Sequence, residues 1–305
     1  MSRLNYLFVV NPISGGNDKS AFYRFIDEEK ISENFSCEVY PTTGANDEIN
    51  IKKLIDLRQP EVIVAVGGDG TLLLVSRIVK NTTITIGLIP FGSANGMAKE
   101  LRIPKISDSK LSLNPSQKIK ECWDIIRKAR IREIDLLQIN KNYYSLHLSD
   151  IGLNAKIVKR FEAEKIRGYF GYARLFFKEL KHKKRISYSL VADGNKLNGK
   201  AYMIVIANAT MYGTGAVINP VGKLDDGVFE ICLIKQIKFV SLLRSLASIF
   251  KKRLQPRKDL VKVVTCKNAT IELKDFETLQ VDGEVVSEIK KVEISILPKA
   301  LRIIA

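Results

Sequence analysis

Histidine is nearly absent: His147 and His182 are the only two in 305 residues. His147 falls in a predicted strand and His182 in a basic run that reads as a solvated face, so neither is expected to take part in catalysis. Cysteine is sparse as well. Cys37, Cys122, Cys232 and Cys266 are scattered, with no CxxC pair and no histidine beside them. That pattern argues against a zinc site or a disulfide framework, fits a reducing cytoplasm, and leaves the four as ordinary packing residues. Long apolar runs are missing too. The opening MSRLNYLFVVNPISGG carries only about six apolar residues before Asn11 and Pro12, far short of a secretory core or of the roughly 20 residues that a membrane span needs. There is no internal repeat and no low-complexity linker.

Acidic residues are outnumbered, with 33 Asp and Glu against 49 Lys and Arg, a formal net charge of +16. The imbalance is concentrated. Between Lys156 and Lys258 stand 22 Lys or Arg against 7 Asp or Glu, which calls for an anionic partner surface, either a membrane leaflet or nucleic acid. No nucleic-acid reading module is recognisable and the aromatics do not interleave regularly with the basic residues, so nucleic acid is not the expected partner.

The chain is 46% hydrophobic, enough for two packed domains. Its first third alternates strand-like and helix-like segments: NYLFVV, SAFYRFIDEEKI, CEVYPT, NDEINIKKLIDL, PEVIVAV, LLLVSRIVK and TITIGLIP. Such repeats predict an open, mostly parallel sheet covered by helices over residues 1–130, with ligands at the carboxyl ends of its strands. Beyond the helix that contains Cys122 and Trp123, short strands with polar turns take over, among them REIDLLQIN, KNYYSLHLSDIG, ISYSLVAD, KAYMIVIAN, GVFEICLI, KNATIELK and EVVSEIKKVEISIL. They predict an antiparallel β-rich domain over residues 131–305, its last few residues able to return to the first domain. Two helical stretches interrupt it, Ile157 to Lys183 and Ile237 to Leu254.

Three loops of the first domain follow strands and are rich in glycine: NPISGG (Asn11 to Gly16), GGDGT (Gly67 to Thr71) and PFGSAN (Pro90 to Asn95). Glycine lets successive backbone amides turn outward into an anion-binding nest, and a helix that begins at the loop adds its positive end. Each loop is therefore a candidate phosphate cradle. Asp69 would repel an anion there unless it holds Mg²⁺ through water or takes a proton from an attacking hydroxyl; the other reading is a turn former.

NPISGG, VAVGGDGT, IPFGSAN, the run NATMYGTGAVINPVGKLDDGVFEI and the late VDGE stand in an order and at spacings that resemble the diacylglycerol kinase catalytic-domain family, bacterial lipid kinases related to sphingosine and ceramide kinases. The resemblance covers nearly the whole chain, although GGDGT alone is shared with NAD kinases. It implies ATP as phosphoryl donor, Mg²⁺ as cofactor and a lipid hydroxyl as acceptor. Carried over by position, the ATP-binding residues would be Asn11, Pro12, Ile13, Ser14 and Gly15; Thr42; Gly67, Gly68, Asp69, Gly70, Thr71, Leu72 and Leu73; and Ser93 with Asn95, Ser93 standing where the family usually has Thr. Catalysis would fall to Glu284 or Asp282 of VDGE, read otherwise as a hairpin turn, with Asp69 a rival base; Glu284 is favoured, and Asp69 is expected to organise Mg²⁺ and phosphate. A structural Mg²⁺ would sit on the Asp226 carboxylate and the carbonyls of Lys223 and Val228, in a loop that could equally be a plain Asp-Asp-Gly turn. One departure stands out: GSANGMA has Gly96 where bacterial members carry Asp, a feature that also resembles the GSGNALA of sphingosine kinases. This leaves the lipid open between diacylglycerol and a sphingoid base.

In IKFVSLLRSLASIFKKRLQPRK, Phe239, Leu242, Leu243, Leu246, Ile249 and Phe250 recur at spacings of three and four, before Lys251, Lys252 and Arg253. The stripe is either core or, with KHKKR (Lys181 to Arg185), a reversible contact with an anionic membrane. The expected setting is cytoplasmic, peripheral to the inner face of the membrane, and a homodimer stays open. The alternatives are a soluble-substrate kinase such as an NAD kinase and a basic nucleic-acid-binding protein.

Overall fold

The structure is a computed structural model that describes residues 5–16, 18–33, 35–106, 115–152, 185–211, 217–235 and 261–305. The predicted helical stretches Ile157 to Lys183 and Ile237 to Leu254, with all of KHKKR except Arg185, lie outside the described residues, as does His182. Two compact units emerge, one of residues 1–134 with 299–305 and one of residues 135–298.

The first unit runs β1 (Asn5–Val10), α1 (Ser20–Glu33), β2 (Ser36–Pro41), α2 (Asp47–Arg58), β3 (Val62–Gly67), α3 (Asp69–Val79), β4 (Thr85–Pro90), α4 (Gly96–Glu100) and α5 (Pro115–Lys128). β1 pairs in parallel with β2 and with β3, and β3 in parallel with β4. Every residue of β3 and β4 is buried, as an unbroken apolar strand must be when helices cover both faces of its sheet. α5 closes over β1 through Trp123, whose ring centroid lies 5.2 Å from Tyr6 and 5.9 Å from Phe8 and whose indole N–H donates to Glu29 at 2.9 Å.

The second unit holds most of β5 (Ile131–Ile139), then β6 (Tyr143–Ser145), β7 (Leu148–Gly152), β8 (Ile186–Ala192), β9 (Asn195–Ala201), β10 (Met203–Ala207), β11 (Phe229–Ile234), β12 (Val261–Cys266), β13 (Asn268–Val281) and the long β14 (Glu284–Ile304). Its pairings are antiparallel, in the order β12-β11-β10-β7-β13, with β8 and β14 also on β13. Ile151, Ile204, Ile206, Phe229, Ile231, Leu279 and Val281 belong to one apolar cluster on one face of these strands. β14 ends in the first unit, where Arg302 and Ile303 pair in parallel with Thr85 and Ile86 of β4.

The expected fold class holds: a parallel α/β unit and an antiparallel β-rich one. Three details differ. KAYMIVIAN is not one strand, because Tyr202 breaks it into the end of β9 and β10. KNATIELK and EVVSEIKKVEISIL are parts of much longer strands, and β12 is a mostly exposed strand whose pattern carries little alternation. All four cysteines are free, and burial pushes the thiols of Cys122, Cys232 and Cys266 up to about 12, as inert packing groups require. Among the described residues no helix is long and apolar enough to cross a membrane.

Removing the ring that joins α5 to β1, as Trp123→Ala, should cost about 3–5 kcal/mol of stability, read from urea unfolding followed by circular dichroism.

Candidate functional site

The three glycine loops lie side by side at the carboxyl ends of β1, β3 and β4, because those strands are parallel neighbours. Their glycines are needed first for loop-to-loop contact. Gly15 has φ of 66°, and a Cβ there would fall 2.1 Å from the carbonyl oxygen of Phe91. A Cβ on Gly92 would lie 2.4 Å from the Gly68 Cα and 2.5 Å from Asn95 Oδ1. The amides of Phe91 and Gly92 both donate to the Gly67 carbonyl, at 2.8 and 3.2 Å. By contrast, a Cβ on Gly16 would meet nothing within 4 Å, so that end of the NPISGG loop faces open space.

Asp69, the first residue of α3, holds this arrangement together. Its carboxylate accepts hydrogen bonds from the amides of Gly96 at 2.9 Å and Met97 at 3.1 Å, which are the first residues of α4. Asn95, at a φ of 51°, turns the chain into α4 while its side-chain amide donates to the Gly92 carbonyl at 2.6 Å. Two buried acceptors in this cluster, Thr71 Oγ1 and Asn95 Oδ1, have no hydrogen-bond partner among the described residues. At the start of α3 the amides of Thr71 and Leu72 donate to the Gly68 carbonyl, both at 3.1 Å, and those of Asp69 and Gly70, which precede them, have no partner inside the helix and are the ones placed to meet an anion. Leu72 is fully buried with its amide on the Gly68 carbonyl, whereas Ile13 is 83% exposed. Thr42 joins the cluster through its amide, which donates to the Val10 carbonyl at 2.8 Å, and a cavity of about 450 Å³ lined by Gly44, Asp47, Ile49, Lys52 and Leu74 opens just beyond it.

Three lysines that sequence reasoning missed attend these loops. Lys19 is buried, with Nζ donating to the Ser14 carbonyl at 3.0 Å and lying 4.6 Å over the Phe91 ring, so it ties NPISGG to PFGSAN. Lys105 Nζ donates to the Ser93 carbonyl at 2.6 Å. Burial and the neighbouring Lys105 hold the Lys99 ammonium below its usual range, against the pull of Asp69. No motif marks these residues, since lysine is common and its burial is not written in local spacing.

In the second unit, VDGE is the turn between β13 and β14: Val281 pairs with Glu284, and Asp282 and Gly283 have φ of 45° and 100°. Positive φ at both central residues is the hairpin geometry that Asp-Gly favours. The Asp282 carboxylate accepts from the Ser145 hydroxyl at 2.7 Å and from the amides of Leu146, His147 and Leu148 at 2.6, 3.1 and 3.1 Å, which fastens the turn to the start of β7. Burial pushes its carboxyl up, and the amides, the hydroxyl and His147 pull it back. Glu284 is exposed and accepts no hydrogen bond among the described residues.

The GKLDDG loop is also in the second unit, with Lys223 and Asp226 exposed. Its shape is set by Asp135, a fully buried carboxylate that sequence reasoning passed over: Asp135 accepts from the Gly227 amide at 2.7 Å and its own amide donates to the Leu224 carbonyl at 2.6 Å. Asp226 takes the Val228 amide at 3.3 Å. The Asp226 carboxylate with the carbonyls of Lys223 and Val228 is a donor set of oxygen alone, which fits a hard cation such as Mg²⁺.

Comparison with known proteins bears on both units. Residues 5–139 match the family model described as the diacylglycerol kinase catalytic domain, and residues 149–305 the one described as the YegS C-terminal NAD kinase beta sandwich-like domain. A Staphylococcus haemolyticus protein named diacylglycerol kinase is 25% identical over 90% of this chain and 81% of its own length. A Bacillus subtilis diacylglycerol kinase is 22% identical over 77% of this chain and 75% of its own. Among solved structures, a diacylglycerol kinase from Bacillus anthracis superposes with a TM-score of 0.71 at 19% identity, over 100% of this chain and 97% of that one. An Archaeoglobus fulgidus NAD kinase in complex with ATP reaches 0.54 at 15% identity, over 98% and 93%.

Gly92→Ala forces a methyl against the Gly68 backbone and should cost about 1–3 kcal/mol, while Gly16→Ala meets no neighbour but must hold a φ of 69°, which costs about 1–2 kcal/mol; thermal unfolding of the two variants measures both. In the second unit, Asp282→Ala strands four donors and should cost about 2–4 kcal/mol, while Glu284→Ala should change stability by less than about 0.5 kcal/mol, both read by denaturant titration.

Proposed function

The chain belongs to the diacylglycerol kinase family of enzymes, and on that premise we propose that it transfers the γ-phosphoryl group of ATP to a lipid hydroxyl, that of diacylglycerol or a sphingoid base. The observation that carries the reading is the interlocked set of glycine loops at the carboxyl ends of β1, β3 and β4, with the start of α3 among them. Asn11 to Gly15, Thr42, Gly67 to Leu73, Ser93 and Asn95 would line the nucleotide, and Lys19, Lys99 and Lys105 would place positive charge around its phosphates.

Asp69 acts here as the organiser, because both of its carboxylate oxygens already accept amides that shape α4. Asp282 likewise holds the turn on which Glu284 stands. Glu284, exposed and without a hydrogen bond among the described residues, is the residue left to take the proton of the lipid hydroxyl. The hydroxyl oxygen then bonds to the γ-phosphorus as the bond to the β–γ bridging oxygen breaks, leaving ADP and the lipid phosphate. Bound Mg²⁺ supplies charge neutralisation for the phosphates, and a structural ion would be held by Asp226 with the carbonyls of Lys223 and Val228. The setting is the cytoplasmic face of a membrane, which the basic region would contact. The second reading, a soluble-substrate kinase, is favoured by the likeness of the fold to an NAD kinase.

Incubation of the purified protein with γ-labelled ATP, Mg²⁺ and separate micelles of diacylglycerol, sphinganine, ceramide or phosphatidylglycerol should put label in the organic phase. Label only in NADP after incubation with NAD would instead establish the second reading. On the accepted lipid, Glu284→Gln should lower kcat by about 10²–10⁴.

A further inference from the structure

At the far end of the β13–β14 hairpin from the turn that carries Glu284, the second unit holds a cavity of about 540 Å³. Two turns wall it. Asp193 and Gly194, both at positive φ, make the two-residue turn between β8 and β9, and the Asp193 carboxylate accepts the amides of Lys267 and Asn268, each at 2.9 Å. Asn140 and Lys141, also at positive φ, follow β5. The Asn140 amide donates to the Glu293 carbonyl at 2.9 Å, and its side-chain oxygen accepts the Glu293 amide at 2.8 Å. Both walls are thereby fastened to the strands between them.

Those strands supply the floor. Ala192, Ala269 and Ile294 turn into the apolar cluster, so alternation turns Val191, Thr270 and Glu293, which pair in one row, to the cavity side, with Asn268 and Ser295 paired one repeat along. Neighbours in this patch lie about 5 Å apart across the strands and about 7 Å along them. Much of its hydrogen-bonding capacity is unspent. The hydroxyls of Thr270 and Ser295, the Asn268 carboxamide and Gln138 Oε1 make no hydrogen bond among the described residues. Glu293 gives one oxygen to Lys291 at 2.6 Å and keeps the other. Lys291, and then Lys141, hold its carboxyl below the usual range, so it stays an acceptor at neutral pH. Val191, 37% exposed, adds an apolar surface among these groups.

The lining narrows the ligand. Lys141 is the one cation on the cavity wall and stands with the Glu293 and Asp193 carboxylates, a poor setting for an anion. Both Asp193 oxygens are spent on amides, and no group of metal-binding side chains forms among the described residues. β13 and β14 are paired on both sides here, which leaves no strand edge for a peptide. We propose that the cavity binds a neutral ring polyol, a pyranose or an inositol. Its C–H face rests on Val191, and its hydroxyls, each a donor and an acceptor, exchange hydrogen bonds with Thr270, Ser295, Asn268, Gln138 and Glu293. The ring arrives either free in solution or as the headgroup of a glycolipid. This assignment is independent of the kinase reading.

Saturation-transfer NMR on the full chain, with glucose, myo-inositol and the open-chain sorbitol as separate probes, tests this, and calorimetric titration gives Kd. Wild type should transfer saturation to the C–H protons of at least one ring and not to sorbitol. Thr270→Val combined with Ser295→Ala removes two hydroxyls from the floor and should raise Kd about tenfold or more. Glu293→Gln, at an exposed position, should raise Kd about threefold or more and is the readout if the double variant does not fold. Phosphatidylcholine vesicles with and without glucosyl-diacylglycerol separate the two sources. Wild type that sediments only with the glycolipid, and a double variant that does not, make the ligand a lipid headgroup; ring binding without such sedimentation makes it a soluble saccharide. No transfer to either ring, equal transfer to sorbitol, or a Kd that both variants leave unchanged overturns the proposal.

Discussion

The first unit depends on one carboxylate and the backbone contacts that it allows. Asp69 draws the amides of Gly96 and Met97 to the start of α3, and this brings the loop after β4 against the loop after β3 so closely that Gly92 can carry no side chain, while a Cβ on Gly68 would lie 3.1 Å from the Gly92 Cα. The same approach brings Phe91 under Gly15 and beneath the Lys19 ammonium. Three turns that a parallel sheet would leave as separate loops are therefore tied to one another. Preorganisation of this kind is what phosphoryl transfer asks of a protein, since there is little covalent chemistry for it to perform.

The second unit divides labour between two neighbouring carboxylates. Asp282 gives its oxygens to a hydroxyl and three amides, and Glu284, across the same two-residue turn, keeps its own exposed. On the reading in which Glu284 is the general base, one carboxylate fixes the place and the other stays uncommitted, two demands that a single side chain cannot meet. Asp135 does for the GKLDDG loop what Asp282 does for the hairpin: a buried acid holds the Gly227 amide beside an exposed acid, Asp226.

How much of this was legible in the sequence follows from the range of each interaction. β1, β3 and β4 are short apolar runs that end in glycine turns, so their burial, their parallel pairing and the position of the loops could be read locally. What the glycines touch could not, because Gly92 meets Gly68 only after β3 and β4 are side by side. The lysines at the loops and Asp135 escaped for the same reason. VDGE was ambiguous in principle: a hairpin turn and a catalytic pair call for the same residues, and only the partners of Asp282 separate the two carboxylates. β12 was missed because a mostly exposed strand shows little hydrophobic alternation.

β14 has a consequence for how the protein is made. Its far end supplies the neighbour of β4 on the side away from β3: Arg302 and Ile303 lie along Thr85 and Ile86, the Ala300 carbonyl receives the Asn81 amide, and the Ala305 amide reaches the Arg130 carbonyl. As the chain leaves the ribosome, β4 therefore waits as an unpaired edge while the whole second unit is synthesised. The first unit cannot close its sheet before residues 299–305 exist, so pairing of very high contact order sets the pace of folding. Until residues 299–305 arrive, the apolar strand TIGLIP is an open invitation to association with other chains.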